Sequence, residues 1–123
     1  IYIKLNKNGI LDGQTPATDS VERKIFKKFW SGYHAPRHTV IFSKSSLKNL
    51  LMRNNFENIE IKIAFNPASY AVSIGSRVIG KKNIGIQRQG IVWFFLLVLG
   101  TFFWIIDLLL KSPGVINFNA YKK

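Results

Sequence analysis

Both histidines of the chain lie in one short stretch, SGYHAPRHTVIF, with an arginine, a proline and a tyrosine. A histidine can take a proton from an attacking hydroxyl or amine, and an arginine can clamp an anionic substrate. We interpret His34 and His38 as candidate catalytic residues, Arg37 as a substrate-binding candidate and Tyr33 as a wall of the same pocket. A structural interpretation stays open, in which Arg37 and one histidine bond loop carbonyl groups while Pro36 fixes the backbone.

The spacing of the two histidines does not predict a metal site. Residues four apart share a face on a helix, but Pro36 lies between His34 and His38 and disfavours a helix there. The neighbouring sequence offers no carboxylate or cysteine as a third ligand, so we predict no bound metal. The chain contains no cysteine, which excludes a disulfide or a thiol nucleophile and fits a reducing, cytoplasmic compartment.

Three segments have the pattern of β-strands. A turn at Asn8-Gly9 and a breaker at Pro16 bound a strand that we place over Gly9 to Gln14. The segment FENIEIKIAF alternates apolar and polar residues and is the clearest strand of the sequence. VINFNAY alternates in the same way near the end of the chain.

Four segments have the pattern of helices. Asp19 or Ser20 can cap a short amphipathic helix in VERKIFKKFW, and the serines from Ser43 to Ser46 can cap a second that ends near Asn54. A short third helix is predicted over Ser69 to Val78. The fourth, from Ile91 to Leu110, is the most apolar segment, and the breaker KSPG follows it.

The order of these motifs resembles the C-terminal half of class I S-adenosylmethionine-dependent methyltransferases, in the branch with TPN and HxPRH motifs. The resemblance covers about the first half of the chain. It is carried by Leu5 to Gly9, Thr15-Pro16, Phe29-Trp30, Gly32, His34, Pro36-Arg37-His38, Phe42-Ser43, Ser46-Leu47, Leu50-Leu51 and Asn55-Phe56.

The resemblance implies an α/β fold, the C-terminal part of a Rossmann-like methyltransferase sheet. GILDGQ would be strand five, NIEIKIAF strand six and VINFNAY strand seven, antiparallel and inserted between them. Residues 1–123 would form one partial domain in which 67–113 is an inserted basic and apolar helical segment. S-adenosyl-L-methionine would be bound mainly by residues upstream of this chain, and the first residue, Ile1, also suggests that the chain begins inside a longer protein.

In this topology Thr15 and Asp19 lie beyond the carboxyl end of strand five, at the rim where such sheets bind ligands. We interpret both as substrate-binding candidates, although turn formation and helix capping alone also explain them. The link between strands six and seven leaves from the same rim, so the apolar segment is expected beside the acceptor pocket.

The apolar segment could contact a membrane. Its length, at ~1.5 Å per residue, matches a hydrocarbon layer of ~30 Å. We favour a membrane anchor that lies in the plane of the surface or enters it shallowly, with Trp93, Phe95, Phe102 and Trp104 as membrane-contacting residues. A helix buried against the sheet or in a dimer interface, and a true membrane span, are the alternatives.

The chain has eighteen Lys and Arg against six Asp and Glu, a formal net charge of +12. This charge favours phosphates, acidic lipids or an anionic ligand. Nucleic acid is disfavoured because the aromatic residues cluster in an apolar run and are not interleaved with the basic ones. The expected function is methyl transfer to a small-molecule, membrane-borne or glycan-linked acceptor at the inner face of the membrane. The alternative is a non-enzymatic basic membrane-binding module.

Overall fold

The structure, a computed structural model, describes residues 2–33, 38–80 and 90–123, and its centre is a three-stranded sheet. The strands are β1 (Ile10–Pro16), β2 (Phe56–Ile63) and β3 (Val115–Lys122), in the order β1-β3-β2. Strand β3 is antiparallel to both neighbours, so β1 and β2 run parallel to each other. The α/β class and the position of the closing strand between the other two are as predicted.

The described residues form four α-helices: α1 (Val21–Phe26), α2 (Lys44–Arg53), α3 (Pro67–Ile79) and α4 (Ile91–Leu110). Short 3-10 turns occupy Tyr2–Lys4, Lys27–Phe29 and Ser31–Tyr33. Ser20 caps α1 and Ser43 caps α2 through their side chains, because each hydroxyl accepts a bond from a backbone amide of the first turn. The bounds of α4 are as predicted.

The predicted strand β1 and the predicted helix α3 were both too short. Strand β1 ends at Pro16 and not at Gln14, because Thr15 and Pro16 still pair with β3. Helix α3 begins at Pro67, a residue whose fixed φ suits the first turn, and it ends where Gly80 takes a left-handed conformation.

A bulge brings the apolar residues of β2 onto one face of the sheet. Phe56 is an even-numbered residue, whereas Ile59 and Ile61 are odd-numbered. Regular alternation would therefore place Phe56 on one face of the sheet and the two isoleucines on the other. The register shifts between Glu57 and Glu60, where Asn58 has a φ of 47°. The extra residue lets Phe56 pack in the same core cluster as Ile59 and Ile61.

One face of the sheet packs against α2, and the other is polar. The packed face joins residues of all three strands to Leu47 and Leu51 of α2. On the opposite face Gln14 donates a 2.8 Å hydrogen bond to Asn117 across the β1–β3 pair. Among the strand residues, therefore, only one face contributes to this apolar core.

A second apolar cluster joins α1 and α3 at the end of the sheet where β1 and β2 finish. It contains Phe26, Phe29, Trp30 and Tyr70, with Phe103 of α4 packed against it. The inner face of α1 differs from the amphipathic prediction: Ile25 is 50% exposed, whereas Glu22 is fully buried.

Helices α3 and α4 pack together as an antiparallel hairpin. Trp104 donates from Nε1 to the carbonyl oxygen of Ala64, just before α3, at 2.9 Å. One helical turn before Trp104, Gly100 lies against Pro67 and Ala71. The approach is so close that a Cβ atom on residue 100 would collide with the carbonyl oxygen of Pro67. The hairpin therefore leaves and re-enters the sheet at one end.

Candidate functional site

The carboxyl ends of β1 and β2 and the amino end of β3 lie at the same end of the sheet, because Pro16 pairs with Val115 and Ile63 with Ile116. The loop after β1 is bonded there to the turn after α4. The amide of Ala17 donates to the carbonyl oxygen of Gly114 at 3.0 Å. The predicted rim is therefore formed by the loop after β1 and by both ends of the α3–α4 hairpin.

Thr15 and Asp19 lie at this rim, and Asp19 has structural partners. An oxygen of its carboxylate accepts a 3.4 Å bond from the amide of Lys44 at the start of α2, and its carbonyl oxygen accepts from the hydroxyl of Ser112 at 2.9 Å. Thr15 is half-buried near the end of β1. Asp19 thus connects the loop after β1 with α2 and with the turn after α4.

Tyr33 is connected to the same loop through Arg23. Arg23 donates from Nε to the hydroxyl of Tyr33 at 2.9 Å and from a guanidinium NH2 group to the carbonyl oxygen of Thr18 at 3.0 Å. Tyr33 is 39% exposed and packs edge-on against Trp30. The sequence analysis did not single out Arg23 and did not predict this bridge.

Trp30 places a buried donor beside Tyr33. Its side chain is 1% exposed, and Nε1 has no hydrogen-bond partner within the described ranges. Gly32 allows the close fold of the backbone over the indole, since a Cβ there would collide with the ring. The indole of Trp30 therefore lies next to the candidate substrate-binding residue Tyr33, with its ring nitrogen buried.

His38 is exposed, and the contact with the loop after β1 is made four residues later, by Phe42. Phe42 forms a parallel bridge with Ala17, and its carbonyl oxygen accepts from the amide of Thr18 at 2.9 Å. The candidates His34 and Arg37 lie outside the described residues. The structure thus brings Phe42, four residues after His38, to the rim.

A buried carboxylate, which sequence reasoning did not single out, lies between α1 and α3. Glu22 accepts hydrogen bonds from the hydroxyls of three serines, at 2.7 Å from Ser73, 2.7 and 2.9 Å from Ser69 and 3.2 Å from Ser31. The serines of SYAVSIGS, at a spacing of four and then three residues, were a signal. That spacing puts a polar stripe on one face of a helix.

Asp107 of α4 is a second buried carboxylate, 1% exposed. It accepts a 2.7 Å bond from the Tyr70 hydroxyl and a 3.0 Å bond from the amide of Gly114. Gly114 also faces the carboxylate of Glu22, and a Cβ there would collide with it. The two acids therefore meet on either side of one glycine.

Burial raises the pKa of the Glu22 carboxyl, and the negative charge of Asp107 raises it further, whereas the three serine hydroxyls lower it. Burial likewise raises the pKa of Asp107, against the opposing effect of its bonds from Tyr70 and Gly114. The pKa of Tyr70 is raised, first by burial and then by its bond to Asp107. Because both acids are shielded from solvent, we assign them to holding the hairpin and not to contact with a substrate.

The four candidate membrane residues lie on different sides of α4. Phe95 and Phe102 are 63% and 61% exposed. Trp93 is half-buried on the inner side, and Trp104 packs against Phe65 and bonds to the backbone. The indole of Trp104 thus has an intramolecular role that the sequence did not reveal.

Within residues 2–33, 38–80 and 90–123, no group of three His, Cys, Asp or Glu side chains is placed to hold a metal ion. Comparisons with protein-family models, curated proteins and solved structures found no match to the chain.

Proposed function

We propose that the chain is the acceptor-side part of an S-adenosylmethionine-dependent methyltransferase. The observation that carries the proposal is the sheet order β1-β3-β2, with an antiparallel strand between two parallel ones. The resemblance implied this order from motifs that all lie before β3. Placing the last strand of the chain between two earlier ones is a specific arrangement, since neighbouring strands in sequence more often pair directly.

The geometry of the rim supports the same function. Ligands of open α/β sheets bind beyond the carboxyl ends of the parallel strands, and the loop after β1 lies there. The bridge from Tyr33 through Arg23 to Thr18 fixes the wall of a candidate pocket on that loop. Phe42 pairs with Ala17 on the same loop, and the indole of Trp30 packs edge-on against Tyr33.

Methyl transfer does not require a strong acid or base among these residues. The cofactor supplies an electrophilic methyl group on a sulfonium, so the protein mainly aligns the acceptor and removes its proton. In this proposal His38 or His34 would take the proton that the acceptor's hydroxyl or amine loses when it receives the methyl group, while the bond from that methyl group to the sulfonium sulfur breaks and the cofactor leaves as the neutral thioether. Tyr33, Arg37, Thr15 and Asp19 orient the acceptor.

The direct test is calorimetric titration of the complete gene product with S-adenosylmethionine. We expect saturable heat, followed by methylation of acceptors extracted from a membrane fraction. In that protein Tyr33→Phe should leave cofactor affinity unchanged and raise the KM for the acceptor. An absence of heat at millimolar cofactor would refute methyl transfer.

A second candidate function is that of a basic membrane-binding module without enzymatic activity. It is favoured by α4, the helix of the described residues that is long and apolar enough to cross a membrane, of which only 11% is buried. Binding to lipid vesicles without any binding of cofactor would select this function over methyl transfer.

A further inference from the structure

Helix α4 exposes an apolar face along its whole length. Eleven of its side chains are apolar and between 43% and 75% exposed: Ile91, Val92, Phe94, Phe95, Val98, Leu99, Phe102, Ile105, Leu108, Leu109 and Leu110. A core helix of a soluble protein would bury most of such a surface, and scattered exposed apolar residues do not form a continuous helical face. We call the exposed side of Ile91–Leu110 the outer face.

The opposite side of α4 is fixed to the rest of the fold. Gly100 lies against the backbone of α3, Trp104 donates to the carbonyl oxygen of Ala64, and Asp107 is bonded to Tyr70 and Gly114. These contacts prevent the helix from turning its outer face inward. The outer face is therefore a permanent surface of the described fold.

A groove of about 390 Å³ adjoins the carboxyl end of α4. Its floor is apolar and includes Leu108, and three lysines line it: Lys44, Lys62 and Lys111. The ammonium of Lys44 donates to the carbonyl oxygen of Lys111 at 2.7 Å, and that of Lys62 pairs with Glu60 at 2.7 Å on the exposed strand surface. An apolar floor with a cationic rim matches an amphiphile that carries a negative head group.

We propose that α4 lies in the plane of an anionic phospholipid surface, with its outer face among the acyl chains and the three-lysine groove over the lipid phosphates. The proposal names a surface and a lipid chemistry, and it stands whether or not the protein transfers methyl groups. Helices with one apolar face and adjacent basic groups bind lipid surfaces in this orientation. The membrane would also hold a membrane-borne acceptor close to the rim.

Charge favours lipid over a second copy of the chain as the occupant. Of the six acidic residues, Glu22 and Asp107 are buried, which leaves four acidic side chains against eighteen basic ones. Two such chains repel each other, whereas an anionic surface attracts each of them. The lysines beside Leu108 place part of this charge next to the outer face.

The anchored base of α4 favours the in-plane orientation over a crossing. Its carboxyl end is bonded to the sheet through Gly114, and α3 runs back along its inner side. A crossing would carry α3 and Arg77 near the end of that helix into the hydrocarbon, where a charged side chain is costly. An in-plane helix leaves Arg77 in water.

Flotation of the complete gene product with vesicles tests the surface. We expect it to float with vesicles of phosphatidylcholine and phosphatidylglycerol in equal parts, to float poorly with phosphatidylcholine alone and to dissociate in high salt. The double variant Phe95→Asp with Phe102→Asp should stay unbound. The control Ile25→Asp changes an exposed apolar residue of α1, outside the outer face, and should float as the wild type does; circular dichroism verifies that both variants fold.

The role of the groove is tested by neutralising one lysine at a time. Lys111→Gln should weaken partitioning onto the anionic vesicles about fivefold, as expected for one basic group near such a surface. The matched control is Lys7→Gln, which removes the same charge beside Asn8, Glu57 and Lys122 at the other end of the sheet. Equal loss for both variants would overturn the groove and leave only diffuse attraction by net charge.

Orientation is measured with single cysteines, which the chain itself lacks. A polarity-sensitive dye attached to Phe95→Cys, Leu99→Cys and Leu109→Cys should report the same shallow depth at all three positions. A dye that lies deeper in the bilayer at the middle of α4 than at its ends would show a membrane span and overturn the proposal. A dimer in lipid-free solution that the Phe95→Asp and Phe102→Asp change dissociates would assign the face to a second copy. Failure of the wild type to float would overturn the proposal.

Discussion

The hydroxyl of Tyr70 on α3 donates a 2.7 Å hydrogen bond to Oδ1 of Asp107 on α4, and both side chains are almost completely buried. The ring of Tyr70 also stacks on Phe103, one helical turn before Asp107. This bond joins the two helices of the hairpin at the point where α4 returns to the sheet. The hairpin is therefore held by a polar contact inside an apolar cluster.

Removing that donor should destabilise the protein. Tyr70→Phe keeps the ring but leaves the buried carboxyl of Asp107 with one fewer partner, and we expect a loss of about 1–3 kcal/mol in the free energy of unfolding. Urea denaturation followed by circular dichroism measures it. Tyr121→Phe, a change at an exposed residue of β3, is the control. Equal stability of the two variants would contradict the structural role of the bond.

Glu22 should make stability depend on pH. Its pKa in the fold is raised above the ordinary 4.5, so the folded state favours the protonated form, and its contribution is largest below pH 4.5. Stability is then lost as the pH rises from 4.5 through the raised pKa. The unfolding free energy of the wild type, minus that of Glu22→Gln, should therefore decrease as the pH rises through that window.

Urea denaturation at a series of pH values measures this difference. Glu57→Gln makes the same change of net charge at an exposed position of β2 and controls for the altered overall charge. If the wild type and Glu22→Gln gave parallel curves across the window, the buried carboxyl would have no part in the pH dependence.

Gly100 should be required for the close approach of α3 and α4. A methyl group there would collide with the carbonyl oxygen of Pro67, so Gly100→Ala must separate the helices despite the better helix propensity of alanine. We expect a loss of about 1–3 kcal/mol, as for other overpacked contacts. Thermal denaturation measures the loss, and Val98→Ala, on the outer face of α4, is the control. If Gly100→Ala were more stable than the wild type, α3 and α4 would not be in contact at that position.

The bulge of β2 should depend on Asn58. This residue has a φ of 47°, which asparagine and glycine tolerate and a β-branched residue does not. Asn58→Val should therefore cost about 1–2 kcal/mol, whereas Asn58→Gly should stay close to the wild type. Chemical denaturation of both variants measures the two changes in the free energy of unfolding. Comparable losses for valine and glycine would place the importance of Asn58 in its side chain and not in its backbone conformation.

Much of the secondary structure could be predicted because its signals are local. The bounds of α4 follow from a continuous apolar run closed by KSPG, and Ser43 caps α2 as predicted. Helical periodicity also predicts that Gly100 and Asp107 share one side of α4 and that Phe95 and Phe102 share the opposite side. The place of the last strand between the first two came from the resemblance, since periodicity cannot choose a strand's neighbours.

The candidate site could be predicted only in outline. Thr15 and Asp19 were predicted at the rim and Tyr33 as a wall of the pocket, and the structure adds Arg23, which connects Tyr33 to the loop at the rim. Arg23 was missed because a basic residue on a short helix is most often solvated, and its two partners lie in other segments. A sequence pattern does not show which distant carbonyl or hydroxyl a long side chain will reach.

By itself the sequence determined which stretches form helices and strands and that α4 has one wholly apolar side, because hydrogen bonding and periodicity depend on neighbouring residues. Only the tertiary structure decided that Glu22 is buried, since the serines that bond it lie 47 and 51 residues further along the chain. It also decided which side of α4 is covered, because that depends on where α3 packs. Burial is a property of the assembled fold, and a carboxylate is buried only where distant donors converge on it.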